Sequence, residues 1–208
     1  TAQTIRSTGF NTGNTITFNI SQNGASGATT INTSLTIASG TTFNINDNSS
    51  NTTDFTVTLP FVNNGVVNVK SSAELDMDVI GMTGTGTFST FTDATLLTKE
   101  ANGISSSGAT GSIQVSGTRT FASDGNYTYN GTAAQITGTG LPTTLNGGIL
   151  DISNTLAAIS GGVTLTQATT ILEGPSTTGL LKFGGATNGT LFTTLTNLIT
   201  IGDDVTVF

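Results

Sequence analysis

Acidic residues gather on a regular spacing in one short segment of this sequence, SSAELDMDVI at positions 71–80. Glu74, Asp76 and Asp78 alternate there with three apolar residues, Leu75, Met77 and Val79. Successive side chains of an extended strand point to opposite faces, so the three carboxylates would share one face. Such a row suits two chemistries, glycoside hydrolysis by a pair of carboxylates and calcium binding by several oxygen ligands.

The neighbours of this acidic triplet support neither chemistry strongly. Sites that degrade polysaccharides add basic or aromatic residues to hold sugar, and the sequence places only Lys70 near the triplet. Side chains two residues apart along a strand are separated by about 6–7 Å and rarely converge on one ion. We therefore expect the triplet to be the solvated face of a strand whose apolar side enters the core, with calcium binding and catalysis as alternatives. The same expectation applies to Asp203 and Asp204.

Composition excludes most other catalytic chemistry. The sequence contains no Cys and no His, so it cannot form a Ser-His-Asp triad, a Cys nucleophile or a histidine-based metal site. Two glycine-rich segments, GMTGTGTF (81–88) and TGTGLP (137–142), do not complete a phosphate-binding motif and precede no helical pattern, so we predict that they are corners or strands. The sequence thus predicts no catalytic, cofactor-binding or metal-binding residue, no cofactor and no enzymatic activity.

The charge balance bears on partners and location. The 208 residues include only 8% charged residues, with five Lys and Arg and a net charge of −7. No basic patch is available for phosphates, so we expect no nucleic-acid partner. No apolar run reaches the roughly 18 residues that span a bilayer, so we expect no membrane insertion. Uncharged chains rich in Thr, Asn, Ser and Gly are common on bacterial surfaces, and we expect an extracellular or cell-surface location.

The elements that must position these residues are short strands. Runs of four to ten residues alternate apolar with polar side chains, and Gly, Asn, Asp or Ser clusters separate them. No segment carries a convincing helical period. The sequence therefore predicts an all-β protein, with strands that include TITFNI (15–20), TTINTSLTIA (29–38), TTFNIN (41–46), DFTVTL (54–59), GVVNVK (65–70), ELDMDVI (74–80), SIQVS (112–116), NYTYN (126–130) and GGVTLTQ (161–167).

The spacing of these strands favours a β-solenoid. Strand-corner-strand segments recur about every 20 to 30 residues, which is typical of coils that stack through parallel ladders. We predict a single parallel β-helix over residues 1–208, with roughly eight to ten coils and a length of about 40–50 Å. The predicted core is Phe18, Phe43, Ile45, Phe55, Val57, Leu75, Met77, Val115, Phe121, Leu165 and Ile171.

One segment, residues 118–171, carries a family resemblance. It contains YTYNGTAAQ (127–135), then TGTGLP (137–142), and later GVTLTQATT (162–170). These blocks resemble the repeats of very large secreted surface and adhesin proteins of Bacteroidota that use the type IX secretion route. The strand GGILDIS (147–153) departs from that pattern by adding Asp151. The resemblance implies an extracellular β-helical repeat and brings no catalytic residue with it.

These expectations lead to a structural role. We expect a stalk or filament segment of a cell-surface adhesin or matrix fibre, which is part of a longer chain or associates end to end. Surface glycans are a second class of partner, and a carbohydrate-binding or polysaccharide-degrading β-helix is the alternative function. Ice binding by Thr-x-Thr rows is less favoured, because the rows do not recur at a constant spacing.

Overall fold

The fold is seen in a computed structural model, which describes residues 3–4, 15–20, 29–31, 33–47, 53–155, 163–164, 169–173, 180–183, 191–192, 198–201 and 206–207. Within these ranges the regular secondary structure consists of 23 strands and no helix. In chain order the strands are β1 (Gln3–Thr4), β2 (Thr15–Ile20), β3 (Thr29–Ile31), β4 (Leu35–Ile37), β5 (Thr42–Asp47), β6 (Thr53–Val57), β7 (Phe61–Asn63), β8 (Val66–Val69), β9 (Ala73–Asp76), β10 (Met82–Thr83), β11 (Thr87–Thr90), β12 (Thr95–Thr98), β13 (Arg119–Thr120), β14 (Asn126–Tyr129), β15 (Gln135–Ile136), β16 (Thr144–Asn146), β17 (Ile149–Ile152), β18 (Val163–Thr164), β19 (Thr169–Glu173), β20 (Leu180–Phe183), β21 (Leu191–Phe192), β22 (Leu198–Ile201) and β23 (Thr206–Val207).

The strands form parallel sheets on the sides of a solenoid. Sheet 1 has nine strands in the order β1-β3-β6-β9-β12-β14-β17-β20-β23, and sheet 2 has five, β13-β11-β8-β5-β2. Sheet 3 has the order β10-β7-β4, and two further three-stranded sheets are β15-β18-β21 and β16-β19-β22. Between β3 and β17 the chain completes about five turns. The predicted all-β parallel solenoid is confirmed, whereas the structure supports fewer turns than the predicted eight to ten.

The core is a column of side chains stacked along the axis. Phe55, Leu75, Leu96, Tyr127 and Leu150 lie at equivalent positions on successive turns of sheet 1. All five are completely buried. Burial of such a side chain stabilises the fold by about 1.5–3 kcal/mol. Each turn therefore needs only a few apolar residues, because its neighbours above and below complete the burial.

Most of the predicted core residues that the structure describes are buried. The buried ones are Phe43, Ile45, Phe55, Val57, Leu75, Met77 and Val115. Phe121 is only partly buried and packs against the cluster from its edge, with its ring 5.9 Å from that of Phe88. The side chains of Phe18, Leu165 and Ile171 lie outside the described residues.

One corner of the solenoid is built from stacked glycines. On three successive turns a glycine lies just before a strand of sheet 2: Gly65 and Gly86 directly precede β8 and β11, and Gly117 lies two residues before β13. A Cβ atom on Gly86 would lie 2.2 Å from the carbonyl oxygen of Gly65, and one on Gly117 would lie 2.3 Å from that of Gly86. Real side chains do not approach backbone so closely. Only glycine therefore allows these turns to stack at the spacing that the ladders impose.

Two predicted strands differ from the structure. The run at 29–38 is two strands, β3 and β4, because the chain turns a corner at 33–34. The run at 112–116 contains no strand and keeps a single bridge between Ile113 and Met82. In the run at 161–167, the described residues form β18, and the other residues of the run lie outside the described structure. Alternation in sequence marks inward and outward positions, but it does not distinguish a ladder from a loop that packs on the core.

Among the described residues, no helix is long and apolar enough to cross a bilayer.

Candidate functional site

The acidic triplet lies at the end of a strand and the corner that follows it. Glu74 and Asp76 belong to β9, whereas Asp78 lies beyond its end with a φ of 49°. Oδ1 of Asp76 accepts a hydrogen bond from the backbone N–H of Asp78 at 2.8 Å. Oδ1 of Asp78 in turn pairs with Nζ of Lys99, also at 2.8 Å. The corner therefore separates Asp78 from the regular row that the sequence predicts.

Lys99 comes from the next turn of the solenoid. Its hydrogen bond to Asp78 raises its pKa, and burial opposes this effect. The sequence placed Lys70 as the cation near the triplet, but Lys70 lies over the ring of Phe91, with Nζ 3.7 Å from the ring centroid. Lys99 follows Asp78 by twenty-one residues, the length of this coil, but the sequence alone does not give the length of each coil.

The expected solvated strand is confirmed in part. Leu75 and Met77 are completely buried, and the three acidic residues are partly exposed. Val79, however, is 63% exposed, so its predicted place in the core is wrong. Because Asp78 adopts a left-handed conformation, the alternation that holds through Met77 ends at this corner.

No metal cluster is formed at the triplet. Within the part of the chain that the structure describes, no group of three or more Asp, Glu, His or Cys side chains is placed to hold a metal ion. Asp203 and Asp204 lie outside the described residues.

The two glycine-rich segments are corners, as predicted. Segment 81–88 contains β10 and the start of β11, and Gly84 turns the chain with a φ of 114°. In segment 137–142, Gly138 has a φ of 77° and lies against the carbonyl oxygen of Ile104. Neither segment leads into a helix in the described structure, so neither has the helix N-terminus of a phosphate-binding loop.

The outward face of sheet 2 is polar and in register. Along one row the register aligns Thr42, Val66 and Thr87, and a second row contains Asn44, Asn68, Ser89 and Thr120. Nδ2 of Asn68 donates a hydrogen bond to Oδ1 of Asn44 at 2.8 Å. The rows are regular although their spacing in sequence varies, because coil lengths differ. Their described members mix Thr, Asn, Ser and Val, so the described face is not a uniform plane of Thr.

The segment at 118–155 uses buried polar side chains to join successive turns. Gln135 and Asn154 are 2% and 1% exposed. Oε1 of Gln135 accepts hydrogen bonds from the N–H of Gly131 and from Nδ2 of Asn154, both at 2.8 Å. Its Nε2 donates to the carbonyl oxygens of Thr98 and Glu100 at 3.0 and 3.2 Å. One side chain thereby joins three turns of the solenoid.

The two tyrosines of the same segment are also internal. Tyr127 and Tyr129 are completely buried, at successive inward positions of β14. Their hydroxyls donate hydrogen bonds to the carbonyl oxygens of Ala122 at 2.6 Å and Thr137 at 2.8 Å. Burial raises the pKa of both phenols. These residues support the fold and are not exposed to a ligand.

A cavity opens beside the loop that precedes β13. It has a volume of about 360 Å³, near the lower end of the roughly 300–1,000 Å³ typical of ligand pockets. Its lining residues are Ser106, Ser107, Gly108, Ala109, Gln114, Val115, Ser116, Gly117 and Arg119. None of these residues is acidic, and Arg119 supplies the one charge. No pattern in the sequence indicated this cavity, because its walls depend on how the loop folds back.

Comparison with known proteins gives no relative for this chain. No family model, no curated protein and no solved structure matches it. What the structure shows of its class is a parallel β-solenoid.

Proposed function

We propose that this chain is a non-enzymatic structural segment of an extracellular rod, a stalk or filament of a cell-surface adhesin or matrix fibre. The observation that carries the proposal is the use of the polar residues in the resembling segment. Gln135, Asn154, Tyr127 and Tyr129 bond to backbone or to one another inside the solenoid. A repeat whose buried polar side chains bond successive turns to one another is suited to forming a long, stiff rod.

Continuation of the ladder is part of the same proposal. A parallel ladder presents the same hydrogen-bonding pattern on every turn, so further repeats or a second copy of the chain can extend it. A contact repeated along one axis does not close on itself, and it produces an open filament. The full length of roughly eight to ten coils is proposed on this basis, together with the likeness to secreted Bacteroidota surface repeats.

Two measurements test the structural role. Negative-stain microscopy and light scattering of the purified chain at increasing concentration should show rods that lengthen by end-to-end association. Antibodies raised against the chain should label intact cells of its source organism without permeabilisation. A soluble monomer at high concentration with both terminal coils ordered would contradict end-to-end assembly. Labelling that appears only after permeabilisation would contradict the extracellular location.

The carbohydrate-binding alternative has one observation in its favour. The residues that line the cavity beside Arg119 include serines, a glutamine and the arginine itself, whose side chains can hydrogen-bond to sugars. The triplet of Glu74, Asp76 and Asp78 gives the polysaccharide-degrading form less support, because Asp78 is engaged with Lys99. Incubation with acidic and neutral polysaccharides, followed by a reducing-end assay, tests degradation. Release of reducing ends that is lost in Glu74→Gln would favour the enzyme over the rod.

A further inference from the structure

Asparagine followed by glycine occurs six times in this sequence, with the asparagine at 23, 64, 102, 130, 146 and 188. Such a pair can react within the chain. The backbone nitrogen of the glycine attacks the side-chain carbonyl carbon of the asparagine, ammonia leaves, and a succinimide ring forms. Water then opens one of the two C–N bonds of the ring, which gives aspartate or isoaspartate. Glycine favours this reaction, because it has no Cβ to hinder the attack and permits the backbone rotation that ring closure needs.

The structure describes four of these pairs, at 64–65, 102–103, 130–131 and 146–147. In each pair the reacting atoms are close through the covalent chain, so the surroundings decide the rate. The glycine N–H must lose its proton before the nitrogen can attack, and the asparagine side chain must rotate towards it. A hydrogen bond donated by that N–H holds the proton, and burial keeps solvent away. Both therefore protect a pair from reaction.

Two pairs are protected by side-chain acceptors. The N–H of Gly65 donates to Oδ1 of Asn63 at 3.0 Å. The N–H of Gly131 donates to Oε1 of Gln135 at 2.8 Å. Both glycines are buried. The carboxamide of Asn64 is held as well, since its Oδ1 accepts a hydrogen bond from the backbone of the next turn at 3.1 Å. These two pairs lack a free nucleophile.

A third pair is protected at both of its reacting groups. The N–H of Gly103 donates to the carbonyl oxygen of Glu100 at 3.0 Å, and Gly103 is buried. Nδ2 of Asn102 donates to Oε1 of Glu100, also at 3.0 Å. Asn102 is exposed to solvent, yet its side chain is held away from rotation by this bond.

The pair at 146–147 has none of this protection. Asn146 is the exposed last residue of β16, and Gly147 is partly exposed with a φ of 82°. The N–H of Asn146 donates to the carbonyl oxygen of Ser123 at 2.7 Å, so the main chain is fixed only up to this residue. Within the part of the chain that the structure describes, no hydrogen bond is found at the side chain of Asn146 or at the N–H of Gly147.

We propose that Asn146 is a site of spontaneous modification, at which the folded chain loses ammonia by ring closure with Gly147 and is converted to aspartate or isoaspartate. The reaction needs only water as a further reactant. It does not depend on the proposed structural role, because it follows from the contacts of one corner of the solenoid.

The two products have different consequences for that corner. Aspartate keeps the main chain and adds one negative charge, whereas isoaspartate lengthens the main chain by one carbon between β16 and β17. The following residues leave little room for it. A Cβ on Gly148 would lie 2.2 Å from the carbonyl oxygen of Gly125, and the N–H of Ile149 is bonded to Oδ1 of Asn126 at 3.0 Å. The isoaspartate form should therefore displace β17 from β14 and loosen one turn as the protein ages.

The test follows the reaction in the intact, folded chain. The protein is incubated in warm, mildly alkaline buffer made with oxygen-18 water, and samples are digested and mapped by mass spectrometry with fragmentation that separates isoaspartate from aspartate. Asn146 should be modified at least about tenfold faster than Asn64, Asn102 and Asn130. Both products should appear, each with heavy oxygen. In denaturant, where every pair is followed by the same glycine and is unprotected, the four rates should lie within about threefold of one another.

Three results of this mapping would overturn the proposal. The first is an equal or faster rate at one of the three protected pairs in the folded chain. The second is a rate at Asn146 that rises more than about tenfold on unfolding, which would show that the fold protects this pair too. The third is aspartate as the sole product, because a succinimide opens in both directions.

A single variant tests ring closure by Gly147. Asn146→Gln keeps a carboxamide at an exposed position but moves its carbon one bond further from the glycine nitrogen. The loss of ammonia at this position should slow at least about tenfold, while the rate at Asn102 in the same sample stays unchanged and reports that the fold is intact. An unchanged rate at position 146 would show that water attacks the amide directly and would overturn the proposal.

Discussion

Asn154 donates a hydrogen bond from its side-chain amide to Oε1 of Gln135, on the preceding turn, at 2.8 Å. Nδ2 of Asn154 also reaches the carbonyl oxygen of Ala133 at 2.8 Å. Both amide side chains are buried, and Gln135 makes four hydrogen bonds, the full number for a primary amide. A buried polar network with every member paired is specific, because any shift between turns leaves a polar group without a partner.

The first prediction concerns this network. Gln135→Leu should lower the free energy of unfolding by about 3–5 kcal/mol, because it leaves buried donors and acceptors on three turns without partners. Denaturant unfolding followed by circular dichroism measures the change. Gln114→Leu is the matched control, since Gln114 is only partly buried and makes one hydrogen bond to its own loop; it should cost less than about 1 kcal/mol. Similar losses in the two variants would contradict a structural role for the Gln135 network.

The second prediction concerns the glycine corner. Gly86→Ala should destabilise the protein by about 2–3 kcal/mol, because its Cβ meets the backbone of the turn below and the turns must separate. Gly108→Ala tests the conformational cost alone. Gly108 has a φ of 82°, and no atom lies within 4 Å of the place that a Cβ would occupy, so its replacement should cost about 1–2 kcal/mol. Thermal unfolding compares the two. A larger loss for Gly108→Ala would show that the stacked corner tolerates a side chain.

The alternation of apolar and polar residues predicted the core because it reports the two faces of a strand directly. Phe43, Phe55 and Leu75 were predicted to be buried on this basis and are buried. Val79 was predicted to be buried by the same rule and is exposed, because the backbone turns a corner at Asp78. The alternation of apolar and polar residues shows which face of the sheet a side chain occupies only as long as the strand continues.

Contacts between turns could not be predicted, because they depend on how long each coil is. Asp78 and Lys99 meet across a turn of twenty-one residues, whereas the turn containing Arg119 is ten residues longer. A fixed repeat length would have paired the wrong residues. The cavity was missed for the same reason. The wall of the cavity is formed largely by the segment between β12 and β13, which belongs to the longer turn. Nothing in the local pattern of serines and glycines shows where that segment folds back.

The third prediction concerns alkaline pH. The sequence has two tyrosines, Tyr127 and Tyr129, and burial raises the pKa of both above the ordinary value of 10.0. Above that pH the unfolded chain loses phenolic protons that the folded chain keeps, so stability falls as pH rises. The fall should be about 1.4 kcal/mol per pH unit for each tyrosine. Below pH 10 the two phenols should contribute no pH dependence.

Tyrosinate absorbance measures this titration without interference, because the sequence has no Trp. In the native protein the absorbance change should appear together with unfolding, as one cooperative step. A double variant, Tyr127→Phe with Tyr129→Phe, should be less stable at neutral pH, since the carbonyl oxygens of Ala122 and Thr137 lose donors, but should lose this alkaline dependence. Titration of either phenol near its ordinary pKa in a folded chain would contradict the burial of that residue.

The last prediction concerns calcium and the acidic triplet. Millimolar calcium should not raise the melting temperature, because Oδ1 of Asp76 is bonded to the N–H of Asp78, and Oδ1 of Asp78 is bonded to Lys99. A weakly held ion would stabilise the native state only in proportion to its occupancy. The Asp76→Asn, Asp78→Asn double variant should show the same absence of response. It should lose less than about 1 kcal/mol from the partly exposed ion pair, since Asn also accepts the left-handed conformation at position 78. A calcium-dependent rise that disappears in the double variant would show that the carboxylates release Lys99 and converge on an ion.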